Sequence, residues 1–201
     1  MISLLLPTAL LSIATHVAPV ARSLPPAVTL DTTLAVPATT RIILDLKSGG
    51  SVKITGGSDK VVRVRVTEGG RECKDCNVQL EQTSQGLQVR SSAGSGSSKL
   101  RFEIEVPSHF DVDLASTGGE VQIEGVDGAI KGQTGSGDLT LRRLSGDVDL
   151  QTMRGDVTLK ESYVSGRVSS AGGRVLLEDV SGSVQGAAVG GKVTERRVTR
   201  N

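Results

Sequence analysis

The chain has 201 residues, enough for one ordinary domain behind a leader or for one elongated domain. Its 23 Lys and Arg against 22 Asp and Glu leave a formal net charge of +1, so charge gives no reason to expect nucleic acid or an anionic membrane as partner. The chain has 25 glycines but only three aromatic residues, Phe102, Phe110 and Tyr163, which excludes a core built on aromatic bulk; its apolar residues are mostly Val, Leu and Ile, which stack well on a narrow pleated interior.

Residues 1–21 contain no Asp, Glu, Lys or Arg. The apolar stretch Ile2–Leu11 is too short to span a bilayer and suits the apolar region of a secretory signal. Ser12 and Ala14 fit the small-residue cleavage pattern, and a cut nearer Ala21 fits as well, so we expect a signal peptide over 1–21 cleaved between 14 and 21. No Lys or Arg precedes the apolar run, a departure from the usual leader. No later stretch is apolar enough for a membrane helix. The expected location is therefore exported: periplasm, cell envelope or secreted, with no membrane span in the mature chain.

Residues 28–106 read as a less regular β-rich portion. Lys60–Val66, Asn77–Gln82, Gly86–Ser91 and Lys99–Val106 alternate apolar and polar residues, the period of a half-buried strand. Ala93–Ser98 reads as a hairpin tip. This portion is expected to cap or begin a stack of repeats. The only two cysteines, Cys73 and Cys76, form a C-x-x-C. A structural disulfide of an oxidising compartment is the favoured reading, and closing so small a loop contributes about 2 kcal/mol on the loop-entropy model. A redox pair would need a helix N-terminus to lower a thiol pKa, and a zinc site lacks ligands, since only His109 remains once a signal is removed.

Residues 107–201 carry a nine-residue repeat. Glycines fall at 119, 128, 137, 146, 155, 173, 182 and 191, and each is followed two residues later by an apolar residue. Four alternating residues make a short strand, and glycine turns the corner through positive φ. Two units make an eighteen-residue coil, and stacked coils give a single-stranded parallel β-solenoid, β-helix or β-roll-like. One wall is expected to hold Val121, Leu139, Val157, Val175 and Val193 beside Ile123, Leu141, Leu159 and Leu177. The facing wall should hold Val112, Ile130, Val148, Val168 and Val184 beside Leu114 and Leu150, with Gly132 and Gly186 marking a thin interior. Position 164 breaks the grid with Val, and glycine follows at 166. The expectation there is a two-residue slip, with residues 161–166 bulging at a corner and the exposed Tyr163 as a weak candidate contact residue.

The run Leu100–Gly128 and the Ser-Gly-Asp-Val-type units after it resemble a bacterial exported domain family of unknown function labelled adhesin-like. The resemblance covers about residues 40–198. It implies a β-solenoid in the cell envelope, and it brings no catalytic residue and no cofactor. Cys73 and Cys76 lie outside its pattern.

No catalytic, cofactor-binding or metal-binding constellation is expected. The leading reading is a non-enzymatic scaffold or binding module for an unidentified envelope or extracellular partner, with self-association through the solenoid ends as a further expectation. The alternative is a polysaccharide-acting β-helix enzyme using the stacked Asp138 and Asp156, with Asp147 and Asp149 on the other strand. Each of these lies at a glycine corner or on an outward position, where solvated charge is ordinary. A calcium β-roll needs recurring glycine-aspartate loops, and only Gly135–Asp138 fits. Arg154-Gly155-Asp156 is one rung of the repeat rather than an integrin signal. A threonine ice-binding face is opposed by the charged columns beside Thr140, Thr158 and Thr194.

Overall fold

The computed structural model describes residues 31–35, 41–57, 61–73, 76–92 and 100–200. The expected signal peptide and the expected hairpin tip at 93–98 lie outside them. The described residues form seventeen strands in one sheet and no helix. In chain order these are β1 Asp31–Ala35, β2 Arg41–Leu46, β3 Ser51–Gly57, β4 Val61–Glu68, β5 Arg71–Glu72, β6 Val78–Thr83, β7 Gly86–Ser91, β8 Leu100–Pro107 and β9 Asp111–Ser116. They continue with β10 Val121–Glu124, β11 Asp127–Thr134, β12 Leu139–Arg142, β13 Ser145–Thr152, β14 Val157–Ser170, β15 Val175–Ser181, β16 Val184–Ala188 and β17 Val193–Thr199.

From β9 onward the pairing is parallel and the partner lies eighteen residues away. One ladder runs β9, β11, β13, the second half of β14, then β16, with Val112 beside Ile130, Ile130 beside Val148, and Val168 beside Gly186. The other runs β10, β12, the first half of β14, β15 and β17, so Val121, Leu139, Val157, Val175 and Val193 form one column. The alternation of the sequence explains why the columns are buried. Each inward side chain lands on the same residue type one rung away, about 4.8 Å along the stack. Val121, Leu139, Val157 and Val175 are at most 1% exposed.

A parallel β-solenoid is expected over 107–201 with a less regular β-rich portion before it; the structure is all-β, and with that earlier portion included its one sheet is mixed. β1 with β4, β4 with β5, β4 with β8, and β6 with β7 are antiparallel. For β4–β5 and β6–β7 the physical reason lies in the connections. Short turns at Gly69–Gly70 and Ser84–Gln85 can only reverse the chain, whereas a parallel neighbour needs a longer crossover. The coils of the N-terminal portion are also not in chain order. β2 and β3 pair in parallel with β9 and β10, while β7 and β8 pair with β2 and β3 from the other side. The link from β8 to β9 therefore steps over the β2–β3 coil. Phe102 and Phe110, both fully buried, fill the stack at this end.

One correction concerns Tyr163. There is no insertion: β14 is continuous over Val157–Ser170, and Ser145 through Thr152 pair one-to-one with Tyr163 through Ser170. Gly146 lies beside Val164, and Val148 beside Gly166. The coil has exchanged a glycine and a valine two positions apart without shifting register. Val164 is 1% exposed, so it supplies the apolar volume that Gly166 gives up. Val168, expected in the column of Val148, instead belongs to the column of Leu114, Gly132 and Leu150.

The thin interior holds at Gly186, where a Cβ would meet Val175 Cγ1 at 3.1 Å and Val193 Cγ1 at 3.2 Å from the facing wall. Gly132 has another reason for its glycine. A Cβ there would lie 2.0 Å from the Leu114 carbonyl oxygen of the adjacent rung, with φ at +151°.

Candidate functional site

The coil has two kinds of corner, and each is built by a column of its own. At the first, a buried hydroxyl closes the turn. Ser116 Oγ donates to the Gly118 carbonyl at 3.0 Å, and Thr134 Oγ1 to that of Ser136 at 2.9 Å. Thr152 Oγ1 lies 2.9 Å from the Arg154 carbonyl and 3.1 Å from that of Gly137 on the neighbouring rung, and Ser170 Oγ donates to the Gly155 carbonyl at 2.7 Å. These four side chains are at most 8% exposed. Each hydroxyl supplies a donor to carbonyls of the turn from inside the coil. The sequence carries the signal as a Ser or Thr three residues before the corner glycine, a pattern that the glycine count alone passes over.

The stacked aspartates belong to the same corner. The Asp156 amide donates to Asp138 Oδ1 at 2.8 Å, and the Arg174 amide to Asp156 Oδ1 at 2.8 Å. Arg174 also donates through Nη2 to Asp156 Oδ2 at 2.7 Å. These hydrogen bonds from Arg174, side chain first and backbone second, hold the Asp156 carboxyl below its ordinary value. Asp111 does the same on the other ladder, accepting the Ala129 amide at 2.9 Å. Each carboxylate thus ties one rung to the next, which also accounts for the aspartate of Arg154-Gly155-Asp156.

At the second corner the backbone is left-handed at every turn. Gly125, Arg143, Glu161, Asp179 and Arg197 all have φ between +49° and +71°, and each lies eighteen residues from the next. Only the first is glycine. The others carry charges that cross-link rungs: Arg143 pairs with Glu124, Arg142 with Glu161 at 3.1 Å, Lys160 with Glu178 at 2.8 Å, and Arg197 with Asp179. The Lys160 hydrogen bond lowers the Glu178 pKa, and that of Arg197 lowers the Asp179 pKa. Along the column 124, 142, 160, 178 and 196, Glu178 pairs with Lys160 and Arg196, whereas Glu124 and Arg142 turn to the neighbouring corner column.

Two shallow depressions lie at the hydroxyl corner. One of about 290 Å³ is lined by Asp45, Lys47, Gln133, Gly135 and Met153 among others. Its neighbour of about 440 Å³ is lined by Ser48, Gly49, Gly50, Thr117, Gly118 and Ser136 among others. Met153 and Val189, on the rim of this corner, are 61% and 88% exposed. Tyr163 is 63% exposed on the outer face of the first ladder, beside Ser145 and Ser181. Among the described residues no three His, Cys, Asp or Glu side chains come together as a metal-holding group. His109 Nδ1 lies 2.8 Å from Asp127 Oδ2, and both are exposed. Cys73 and Cys76 are joined as a disulfide with Cα atoms 5.8 Å apart, and Cys73 is buried in the core. No helix among the described residues is long and apolar enough to cross a membrane.

No protein-family model and no curated protein matches the chain. Two solved structures resemble it at 9% identity. One, named as a proposed cell adhesion protein from Clostridium sporogenes, aligns over 85% of this chain and 100% of its own, with a TM-score of 0.43. The other, named as a proposed adhesin from Parabacteroides merdae, aligns over 82% of this chain and 94% of its own, with a TM-score of 0.25. Neither likeness carries a functional argument.

Proposed function

We propose that the chain is a non-enzymatic, exported, adhesin-like scaffold: a parallel β-solenoid with an antiparallel cap, whose outer columns engage an envelope or extracellular partner. The observation that supports this reading is the use made of Asp138 and Asp156. Each carboxylate accepts the amide of the next rung, at 2.8 Å, where a glycosidase would need its pair facing a substrate. Export draws its support from the apolar leader and the Cys73–Cys76 disulfide. Glu195 occupies the register position of the buried Leu177 and is ion-paired to Arg200.

Incubating the purified mature chain with isolated cell-envelope material tests this. Saturable retention without release of soluble fragments is expected. Fragment release that stops in the Asp138→Asn, Asp156→Asn double variant would establish the enzyme instead.

A further inference from the structure

The two ladders do not end level at the capped end. Beyond β2 the first ladder adds β7 and then β6, whereas beyond β3 the second adds β8, β4 and then β1. β6 therefore lies on the same rung as β4, and β1 reaches one rung further, with no strand facing it among the described residues. The step shows in burial. On β4, flanked by β8 on one edge and by β1 and β5 on the other, Val62, Val64 and Val66 are at most 1% exposed. On β6, which among the described residues pairs only with β7, Val78 and Leu80 are half-buried, although their register partners Ser91 and Val89 are buried.

An edge strand offers unpaired amides and carbonyls to any strand that comes alongside, and proteins usually blunt it with charge, proline or short length. β6 has six residues, no proline and one charge, Glu81, which is set beside Arg90 at 3.8 Å. The opposite end of the stack differs. There β16 and β17 end on one rung, and Glu195 holds the register position of the buried Leu177, followed by Arg196 and Arg197. The Cys73–Cys76 bond stiffens the step at the capped end, because Cys73 directly follows β5 and Cys76 lies just before β6.

We infer that this step is a dimerisation surface and that its occupant is a second copy of this chain. A twofold axis parallel to the strands and perpendicular to the stack exchanges the two ladders. It sets β1 of each copy beside β6 of the other, so the longer ladder of one fills the place next to the shorter ladder of its partner. The strand directions agree. β7 and β8 run oppositely, on the two ladders of one coil; β6 reverses β7, while β1 reverses β4, which reverses β8. β6 and β1 therefore meet as parallel strands. The unequal ladders select this occupant, because a one-strand step is complementary to its own copy and both steps close at once, leaving no edge at this end for a third copy. An unrelated strand would cover β6 and still leave the far edge of β1 open. The contact is small, two pairings of a five-residue strand with a six-residue strand, so the dimer should be reversible, with a Kd on the order of micromolar. Because the outer columns stay uncovered, the dimer presents the scaffold's partner surface twice.

Analytical ultracentrifugation of the mature chain with its disulfide intact, between about 1 and 200 µM, tests the inference. A monomer–dimer equilibrium with no larger species is expected. In a mixture of isotope-labelled and unlabelled copies, intermolecular NMR contacts should join Val78–Thr83 of one copy to Asp31–Ala35 of the other. Leu80→Lys, which places a charge on the half-buried edge, should weaken the dimer at least about tenfold. Val189→Ser, at the opposite end, should leave it unchanged. The intermolecular contacts are read on the parent chain, so they decide the matter even if Leu80→Lys fails to fold. A chain that stays monomeric at the highest concentration, growth beyond the dimer, or contacts between copies that fall on β16 and β17 overturns the inference. So does a monomer whose β6 amides are all protected from exchange, since another part of the chain would then cover the edge. Retention on envelope material bears on the scaffold reading alone.

Discussion

Thr152 illustrates how much a single hydroxyl contributes here. Its Oγ1 reaches the carbonyls of Arg154 and Gly137 from a fully buried position, so Thr152→Val removes this donor from both, leaving the Arg154 carbonyl with the Gly137 amide alone. The expected cost is about 1–3 kcal/mol in urea denaturation, while Thr152→Ser should cost less because the donor survives. Ser116, Thr134 and Ser170 repeat the arrangement, which makes the buried hydroxyl a rule of this corner. The aspartates were visible in the sequence as a stack, but their role was not. Whether a carboxylate faces a substrate or the next amide depends on corner geometry, and residue spacing does not encode that.

At the scale of the element, β14 is the instructive strand. Reading glycines as corner marks led to a slip at Gly166, whereas the ladder keeps its register through Val164 and Gly166. Backbone pairing fixes the register, and glycine is only one way of filling a position. A Cβ on Gly166 would lie 2.2 Å from the Val148 carbonyl oxygen with φ at +113°. Gly166→Val alone should therefore destabilise the chain by about 3 kcal/mol. Val164→Gly alone should cost about 2–3 kcal/mol through the cavity it leaves. The double variant restores the glycine-then-apolar order of β13, so its cost should fall well below the sum of the two. Thermal melts of the four chains form the cycle that measures this coupling.

The left-handed corner was equally hidden. Arg143, Glu161, Asp179 and Arg197 adopt a conformation usually left to glycine, so no glycine pattern announced it. Its eighteen-residue period, by contrast, follows from the coil length that the sequence does reveal.

For the molecule as a whole, the apolar columns of β9–β17 were legible because alternation and stacking impose the same period. The antiparallel strands β4 and β6, and the placement of the β2–β3 coil between β8 and β9, were not, since chain order and stacking order part company there. Charges tie the C-terminal rungs together, with a consequence for pH. Asp156, Glu178 and Asp179 are held below their ordinary pKa values by Arg174, Lys160 and Arg197. A carboxylate with a depressed folded-state pKa stabilises the fold above its unfolded pKa and loses that contribution as pH falls through the folded value. Unfolding midpoints should thus be flat from about pH 5 to 8 and fall below about pH 4, with high salt reducing the difference. The end coil gives a separate prediction: Glu195→Leu extends the column of Leu177, and sedimentation should then detect more self-association than in the parent chain.

The central claim is that rungs stack in an unbroken eighteen-residue register that places Tyr163 within the outer column. Through-space NMR contacts between amides test it most directly. The account predicts contacts of Gln122 with Thr140, Thr140 with Thr158, and Tyr163 with both Ser145 and Ser181. Contacts that place Gly166 beside Gly146, with Tyr163 looped out of the ladder, would contradict it.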